Sequence, residues 1–404
     1  VAWYPGDTAA RTTDVAKFDA GTSNGSCTSV EDVVADLAGI QMSGGYTSTV
    51  SLTNAGGAAE VINVATLSLN SAGKLAIGSD VTVNATGAST WNAGASVVHY
   101  TVGGADAGGG TFVVNNTMAL SGASVNLDVK MIIDGASAVF TASGMTGSLR
   151  LDGQTWSNGN IDVKNSGKLV LNNSNAGAAT DGSIVDSSAS TAHAITVTSG
   201  GAVWRGDGVA SPTGFVNIDP HITLDASSLK VWGDRKLALY GSDGGTPASS
   251  LTATNGSTVT QGGGSTLQAN SRIYVSSSAY VVNATKSTTL TGSLTFGGTG
   301  SSLDFTTDTC FFNVSGDLAL NANTTVLMYW GSGSGRFSYL NVAGNMDYAG
   351  ASLAQYGVGP ASGVWKNTID TGGTVSNSFG SAYWYTGGMN LTTQFVGNDF
   401  QIKW

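Results

Sequence analysis

The chain has 404 residues, of which 41% are hydrophobic, so it is long enough to bury a sizeable core. Only 10% of the residues are charged, 58 are glycine and 5 are proline, and the formal net charge is −10. Because the chain offers no basic stripe to neutralise phosphates and no apolar run long enough to cross a bilayer, we expect neither a nucleic-acid partner nor a membrane span.

Low charge does not predict disorder here, because Val, Leu, Ile and aromatic residues recur along the whole chain. Gly, Ser, Thr and Asn occupy the positions that Lys and Glu usually fill, which is typical of repetitive extracellular β-proteins. The first residue is Val1, not Met, and we expect that a secretory segment precedes it in the precursor. The predicted location is therefore secreted, either extracellular or on the cell surface.

Short alternating runs predict β-strands throughout, because period-two alternation buries one face of a strand. In chain order the runs are Val61–Val64, Leu67–Leu69, Leu75–Ile77, Val81–Val83, Leu149–Leu151, Ile161–Val163, Leu169–Leu171, Ile195–Val197 and Leu237–Leu239. Gly, Asn, Asp and Ser are frequent between the runs, and strands this short indicate a sandwich, a barrel or a solenoid.

An imperfect repeat favours the solenoid. The segment 70–77 (NSAGKLAI) is similar to 165–171 (NSGKLVL), and 233–239 (GDRKLAL) is a looser copy. A glycine-containing turn next to a strand fits one side of a coil, and stacked coils of roughly twenty residues bury a continuous apolar column. A large β-sandwich remains the alternative.

The C-terminal stretch differs in composition, because residues 329–404 hold 14 of the 33 aromatic residues. An open solenoid end exposes strand edges and needs a cap. We therefore divide the chain into an N-terminal arm or cap (1–36), a β-solenoid (37–328) and a C-terminal β cap or assembly module (329–404). The aromatic residues either form the core of the cap or present a surface for sugar or subunit binding.

Both ends of the chain resemble a known family. The segments 19–23 (DAGTS), 37–40 (LAGI) and 43–50 (SGGYTSTV) are similar to the opening of bacterial autotransporter-associated β-strand repeat proteins, and 339–353 and 395–402 resemble their closing module. The resemblance implies a secreted, right-handed parallel β-helix. The expected fold is therefore an all-β right-handed β-helix with an aromatic-rich C-terminal β cap.

Catalytic chemistry has weak support. The densest ionisable stretch runs from Arg205 to Lys236, where two carboxylates could act on a polysaccharide, but turn-capping and solvated side chains are the simpler interpretation. None of the three histidines, His99, His193 and His221, lies in a nucleophile-elbow context. We expect no enzyme, no zinc and no cofactor. Calcium could bind at Asp-containing turns, but the sequence lacks the nonapeptide calcium-binding repeat.

The two cysteines are far apart in the chain. A dozen coils at about 4.8 Å each would separate Cys27 from Cys310 by roughly 60 Å within one subunit, well beyond disulfide reach. Either Cys27 of one subunit pairs with Cys310 of the next, or both are free thiols.

The sequence thus predicts an extracellular structural protein that polymerises with copies of itself, head to tail, through β-strand contacts. The candidate intersubunit contacts are Val1, Trp3, Tyr4, Cys27, Cys310, Trp365, Trp384 and Trp404. The second hypothesis is an adhesin that binds extracellular polysaccharide or a cell surface through exposed aromatic residues, and the third is a polysaccharide lyase or hydrolase.

Overall fold

A computed structural model describes residues 11–21, 24–31, 35–54, 59–92, 94–100, 110–151, 160–172, 182–186, 193–206, 214–241, 249–331, 336–357, 365–385 and 391–403. These residues form 41 β-strands and no helix. The chain divides into two compact units: unit 1 is Val1–Trp204 with Gly208–Pro220, and unit 2 is Arg205–Asp207 with His221–Trp404. The predicted division at residues 36 and 328 stays a prediction.

The strands of unit 1 are β1 Arg11–Phe18, β2 Cys27–Glu31, β3 Ala35–Met42, β4 Thr49–Asn54, β5 Glu60–Leu69, β6 Lys74–Ile77, β7 Val81–Ala85, β8 Ser89–Trp91, β9 Ser96–His99, β10 Thr111–Val114, β11 Thr117–Gly122, β12 Val125–Leu127, β13 Lys130–Asp134, β14 Val139–Met145, β15 Leu149–Leu151, β16 Ile161–Lys164, β17 Lys168–Leu171, β18 Ile184–Asp186, β19 Ala194–Thr198, β20 Ala202–Arg205 (whose last residue belongs to unit 2) and β21 Phe215–Ile218.

The strands of unit 2 are β22 His221–Asp225, β23 Ser228–Val231, β24 Lys236–Leu239, β25 Leu251–Thr254, β26 Thr258–Gly262, β27 Thr266–Ser276, β28 Ala279–Asn283, β29 Ser287–Gly297, β30 Ser302–Phe305, β31 Phe311–Val314, β32 Leu318–Ala319, β33 Thr325–Trp330, β34 Tyr339–Val342, β35 Met346–Asp347, β36 Ser352–Gly357, β37 Lys366–Thr371, β38 Val375–Ser376, β39 Ser381–Trp384, β40 Thr392–Val396 and β41 Asp399–Lys403.

Unit 1 is built from three parallel ladders. One ladder contains β5, β7, β10, β13, β16 and β19. A second ladder contains β8, β11, β14, β17 and β20, and a third contains β6, β9, β12, β15 and β18. Because successive strands pass from one ladder to the next, three strands make one coil of a parallel β-helix.

Unit 2 repeats this arrangement. One ladder contains β23, β26, β28, β30, β33, β36 and β39, all parallel. The long strands β27 and β29 each contribute to two ladders. The predicted parallel β-helix is confirmed, and the β-sandwich alternative is wrong because these ladders are parallel. The right-handed sense stays a prediction.

Inward-facing side chains stack into apolar columns, because parallel register places identical faces above one another. In unit 1, Phe112, Met131, Ile161 and Ile195 are successive register partners, and all are fully buried. In unit 2, the side chains of β23, β26, β28, β30, β33 and β36 form an equivalent column at Leu229, Val259, Tyr280, Leu303, Val326 and Leu353.

Turn residues bond to the coil next to them. Asn165, with φ 52°, donates from its side chain to Asp134 Oδ1 over 2.7 Å. Two residues later, a Cβ at Gly167 would lie 2.5 Å from the carbonyl oxygen of Ile133, so only glycine fits there. The repeated segment that the sequence shows is therefore a corner that packs against its neighbouring coil, followed by the short strand β17.

The C-terminal end of unit 2 changes from parallel to antiparallel. Strand β41 pairs antiparallel with β37, and β40 pairs antiparallel with β41. Tyr348, Phe379, Phe395 and Phe400 pack around this hairpin, with ring centroids 4.5–5.8 Å apart. Since Tyr348 and Phe400 are buried, these rings form the core of the predicted aromatic cap.

Candidate functional site

Three strands at the C-terminal end of unit 2 have one ladder partner each among the described residues: β38 pairs with β35, β39 pairs with β36, and the longest of the three is β40. Among the described residues, its only strand partner is β41, so its other edge has no ladder. Its sequence is TTQFV, and it contains neither a charged residue nor a proline. Phe395 and Val396 are 38% and 52% exposed. An exposed edge strand of uncharged, β-prone residues is a template for pairing with another chain.

The N-terminal edges of unit 1 differ from each other. Strand β1 pairs with β3 and carries Arg11, Asp14 and Lys17, and its register shifts between Arg11 and Val15. Charges and register irregularities both discourage edge-to-edge pairing. Strand β2 has five residues, the same number as β40, pairs in regular parallel register with β4, and carries Glu31 as its one charged residue. Among the strands described, neither β1 nor β2 has a second strand partner.

The predicted contact residues have different surroundings. Val1, Trp3, Tyr4 and Trp404 lie outside the described residues. Cys27 is half-buried at the start of β2, and burial raises the pKa of its thiol, which lowers the thiolate fraction.

Two tryptophans lie in the C-terminal cap region. Trp365 is half-buried with the Lys403 ammonium 4.7 Å from its ring centroid, and Trp384 ends β39. The structure therefore places Cys27 on the N-terminal edge strand and both tryptophans at the last strands of unit 2.

Cys310 lies inside unit 2. Its Sγ atom is 3.3 Å from the carbonyl oxygen of Val282 and 3.2 Å from that of Ala284, and the residue is fully buried. Within one chain, Cys27 and Cys310 form no disulfide with each other. A disulfide from Cys310 to another subunit would require this coil to open, so a buried free thiol fits the surroundings of Cys310 better.

The ionisable stretch from Arg205 to Lys236 is engaged in local contacts in unit 2. Arg205 is buried and donates from Nε to the carbonyl of Lys236, and burial lowers its pKa to about 10, with the charge of Arg235 acting in the same direction. Asp225 accepts a hydrogen bond from Asn255, and Asp234 forms an ion pair with Lys286.

Two further members of that stretch have separate surroundings. In unit 2, His221 Nδ1 lies 2.7 Å from the carbonyl of Ser249. Asp219 belongs to unit 1. Asp207 lies outside the described residues. Asp225 and Asp234 make turn and surface contacts, as the simpler interpretation of this stretch expects, whereas the expected solvation of its basic residues is wrong for Arg205 and Arg235, which are buried.

A buried acid–imidazole group in unit 1 was not singled out by the sequence. His193 Nδ1 lies 2.9 Å from Asp186 Oδ1, and the side chain of His193 is fully buried. Asp219 Oδ2 accepts from the backbone N–H of Asp186 over 3.3 Å. Burial raises the pKa of the Asp219 carboxyl; the hydrogen bond from Asp186 opposes this shift and the charge of Asp186 adds to it. Because 33 residues separate Asp186 from Asp219, only the coil register brings them together.

Within the described ranges, no three His, Cys, Asp or Glu side chains are grouped as a metal site. The described residues also contain no helix that is long and apolar enough to span a membrane.

Short strands wound into three parallel ladders define the class, a parallel β-helix protein. No protein-family model matches the chain, and no curated protein matches it.

Proposed function

We propose that this protein is an extracellular structural β-helix whose copies join head to tail into a filament or matrix. The observation that carries the proposal is the uncharged, exposed edge of β40 at the C-terminal cap. The composition supports an extracellular material, because Gly, Ser, Thr and Asn replace charged residues over the whole chain.

Strand addition supplies the mechanism. The outer N–H and C=O groups of an edge strand form new hydrogen bonds when another chain extends the sheet. Natural edges avoid this with lysine, proline, bulges or very short strands. Strand β40 has five residues and no charged residue or proline, and it pairs with β41 without a register shift.

The receiving edge in this proposal is β2 of the next copy. It matches β40 in length and keeps regular register with β4, whereas β1 carries charges and an irregular register. A contact between two different edges is heterologous, so it does not close on itself and adds subunits indefinitely. This polarity distinguishes the proposed filament from a dimer in which two copies of β40 pair with each other.

The experiment places a lysine on the β40 edge and compares it with a lysine elsewhere. Thr393→Lys adds a charge to β40, and Thr299→Lys adds the same charge at an exposed turn between β29 and β30. Sedimentation velocity of each full-length protein over a range of concentrations reports assembly, and circular dichroism reports folding. We expect the wild-type and Thr299→Lys proteins to form large species, and Thr393→Lys to remain much smaller.

Equal assembly of both lysine variants would overturn the role of β40. A concentration-independent monomer for the wild-type protein would overturn the assembly proposal itself. If the wild-type protein assembles no further than a dimer, the contact is symmetric and the head-to-tail contact is wrong.

A further inference from the structure

Four tyrosines lie on the outer side of one ladder at the C-terminal end of unit 2. Tyr329 on β33 and Tyr356 on β36 are register partners. Tyr383 on β39 is the register partner of Ala354, and the N–H of Tyr385 donates to the carbonyl of Gln355, which continues the ladder. We call Tyr329, Tyr356, Tyr383 and Tyr385 the tyrosine face.

Two of the four rings of the tyrosine face, those of Tyr329 and Tyr356, are held in place before any ligand binds. Tyr329 and Tyr356 contact each other edge to face, with centroids 4.8 Å apart and planes at 89°. The Tyr356 hydroxyl donates to the carbonyl of Phe305. Tyr385 is 64% exposed, so much of its ring is accessible to solvent. A tyrosine offers a large contact area with few rotatable bonds, and fixed rings lose little conformational entropy on binding.

A column of hydroxyl groups runs beside the tyrosine face. Ser302, Thr325, Ser352 and Ser381 are successive register partners on β30, β33, β36 and β39. The hydroxyl of Ser381 donates to that of Ser352 over 2.9 Å. Because neighbouring strands are about 4.8 Å apart, the hydroxyl groups repeat along one row, and Tyr329, Tyr356 and Tyr385 repeat along a second row. A ligand with a repeating unit can make the same contact at several rungs.

The charge of this surface limits what can bind. On the outer side of β30, β33, β36 and β39, Asp304 is the one charged residue, and the whole chain carries −10. Burial raises the pKa of the Asp304 carboxyl, and a hydrogen bond with the Ser302 side chain opposes this shift. An anionic polymer would be repelled by the net negative charge of the chain, whereas a neutral polymer would not.

We propose that the tyrosine face binds a neutral polysaccharide chain. The Tyr385 ring packs against a sugar face, and the hydroxyl column hydrogen-bonds to sugar hydroxyl groups. This inference goes beyond the assembly role and does not depend on it, because β40 takes no part in the tyrosine face. A protein partner would also use tyrosines, but the regular rows and the near absence of charge favour a repeating neutral polymer.

The test is a pull-down of the full-length protein with insoluble cellulose, chitin and β-1,3-glucan. Tyr385→Ala removes the most exposed ring of the face. Tyr240→Ala is the matched control, since Tyr240 is another exposed tyrosine of unit 2 at 39% exposure and lies just after β24. We expect the wild-type protein and Tyr240→Ala to bind at least one polymer with equal affinity, and Tyr385→Ala to bind it at least five-fold more weakly.

Equal binding by Tyr385→Ala and Tyr240→Ala would overturn the inference, as would a wild-type protein that binds none of the three polymers. A Tyr385→Ala variant that changes sedimentation but not polymer binding would make the face a protein contact instead. Repeating the pull-down with Thr393→Lys separates the two proposals, because this variant should bind polymer with wild-type affinity whether or not copies assemble.

Discussion

The hydroxyl of Tyr356 donates a hydrogen bond to the backbone carbonyl of Phe305, two strands away in the same parallel ladder. Register pairs between β30 and β33 end at Asp304 and Leu327. Phe305, the last residue of β30, therefore has no register partner on β33. A side chain on one coil thus bonds to the backbone of another coil and ties three successive strands together.

Removal of this bond should weaken the C-terminal part of unit 2. We expect Tyr356→Phe to lower the free energy of unfolding by about 1 kcal/mol, because the phenol donor is lost and the acceptor is left without it. Urea denaturation followed by circular dichroism measures the change. Tyr385→Phe, which alters a largely exposed ring, should leave stability unchanged; equal effects of the two variants would argue against the bond.

Tyr356 should also make the free energy of unfolding depend on pH in the alkaline range. Burial raises the pKa of Tyr356 to about 12, and the nearby Asp304 charge adds to the shift. An ordinary tyrosine ionises near pH 10, so the folded state holds the proton more tightly than the unfolded state. The stabilising contribution is complete below pH 10 and is lost as the pH rises toward about 12.

The stability difference between wild type and Tyr356→Phe, measured by denaturation at several pH values, should therefore shrink from pH 10 to pH 12. Other buried tyrosines contribute equally to both proteins and cancel in this difference. A difference that stays constant over this range would contradict the assignment.

The same substitution at two buried glutamines should change the free energy of unfolding in opposite directions. Among the described residues, neither amide atom of Gln355 has a hydrogen-bond partner, although the residue is fully buried. Gln261 is also fully buried, but it accepts from the Tyr280 hydroxyl and donates to the carbonyl of Thr289 over 3.1 Å. A buried amide without hydrogen bonds lowers the free energy of unfolding by about 1–3 kcal/mol. Removal of a hydrogen-bonded amide instead leaves its former partners without a hydrogen bond.

We therefore expect Gln355→Met to raise the free energy of unfolding and Gln261→Met to lower it, each by about 1–3 kcal/mol in chemical denaturation. Methionine keeps the side-chain length and flexibility, so packing changes little. A loss of stability in Gln355→Met would mean that its amide has a partner.

The carboxyl of Asp219 should destabilise unit 1 at neutral pH. Its pKa is raised, chiefly by burial, so the folded state favours the protonated form. The stability that this proton provides is present below the unfolded pKa near 3.9 and is lost as the pH rises through the raised folded pKa. Asp219→Asn keeps an oxygen acceptor for the Asp186 N–H and removes the charge.

We expect Asp219→Asn to be more stable than wild type at pH 7 and to lose this advantage at pH 3. Thermal unfolding at both pH values measures the difference. A variant that is less stable at pH 7 would show that the ionised carboxylate is needed by its surroundings, including the Asp186–His193 pair.

Period-two alternation was a reliable guide to the fold. All nine predicted runs lie in strands, including Leu169–Leu171 in β17 and Leu237–Leu239 in β24, because each buries alternate or successive apolar side chains against the next coil. The roughly twenty-residue coil was only partly right: register partners are 21 residues apart at Val259 and Tyr280 and 34 apart at Ile161 and Ile195. Insertions at corners change coil length without altering the strand pattern.

The candidate sites depend on register, which a single sequence does not encode locally. The aromatic composition of residues 329–404 pointed to a cap, and its ring cluster lies there. The free edge of β40 could not be foreseen, because it depends on β41 turning back onto β37. The Asp186–His193 pair and the tyrosine face likewise arise from coils that bring distant segments together.

Electron microscopy of the wild-type protein at increasing concentration tests the central claim, head-to-tail assembly, most directly. The account predicts unbranched filaments whose axial repeat corresponds to one subunit, and their loss in Thr393→Lys but not in Thr299→Lys. Dispersed single particles at every concentration, or filaments that persist in Thr393→Lys, would contradict it.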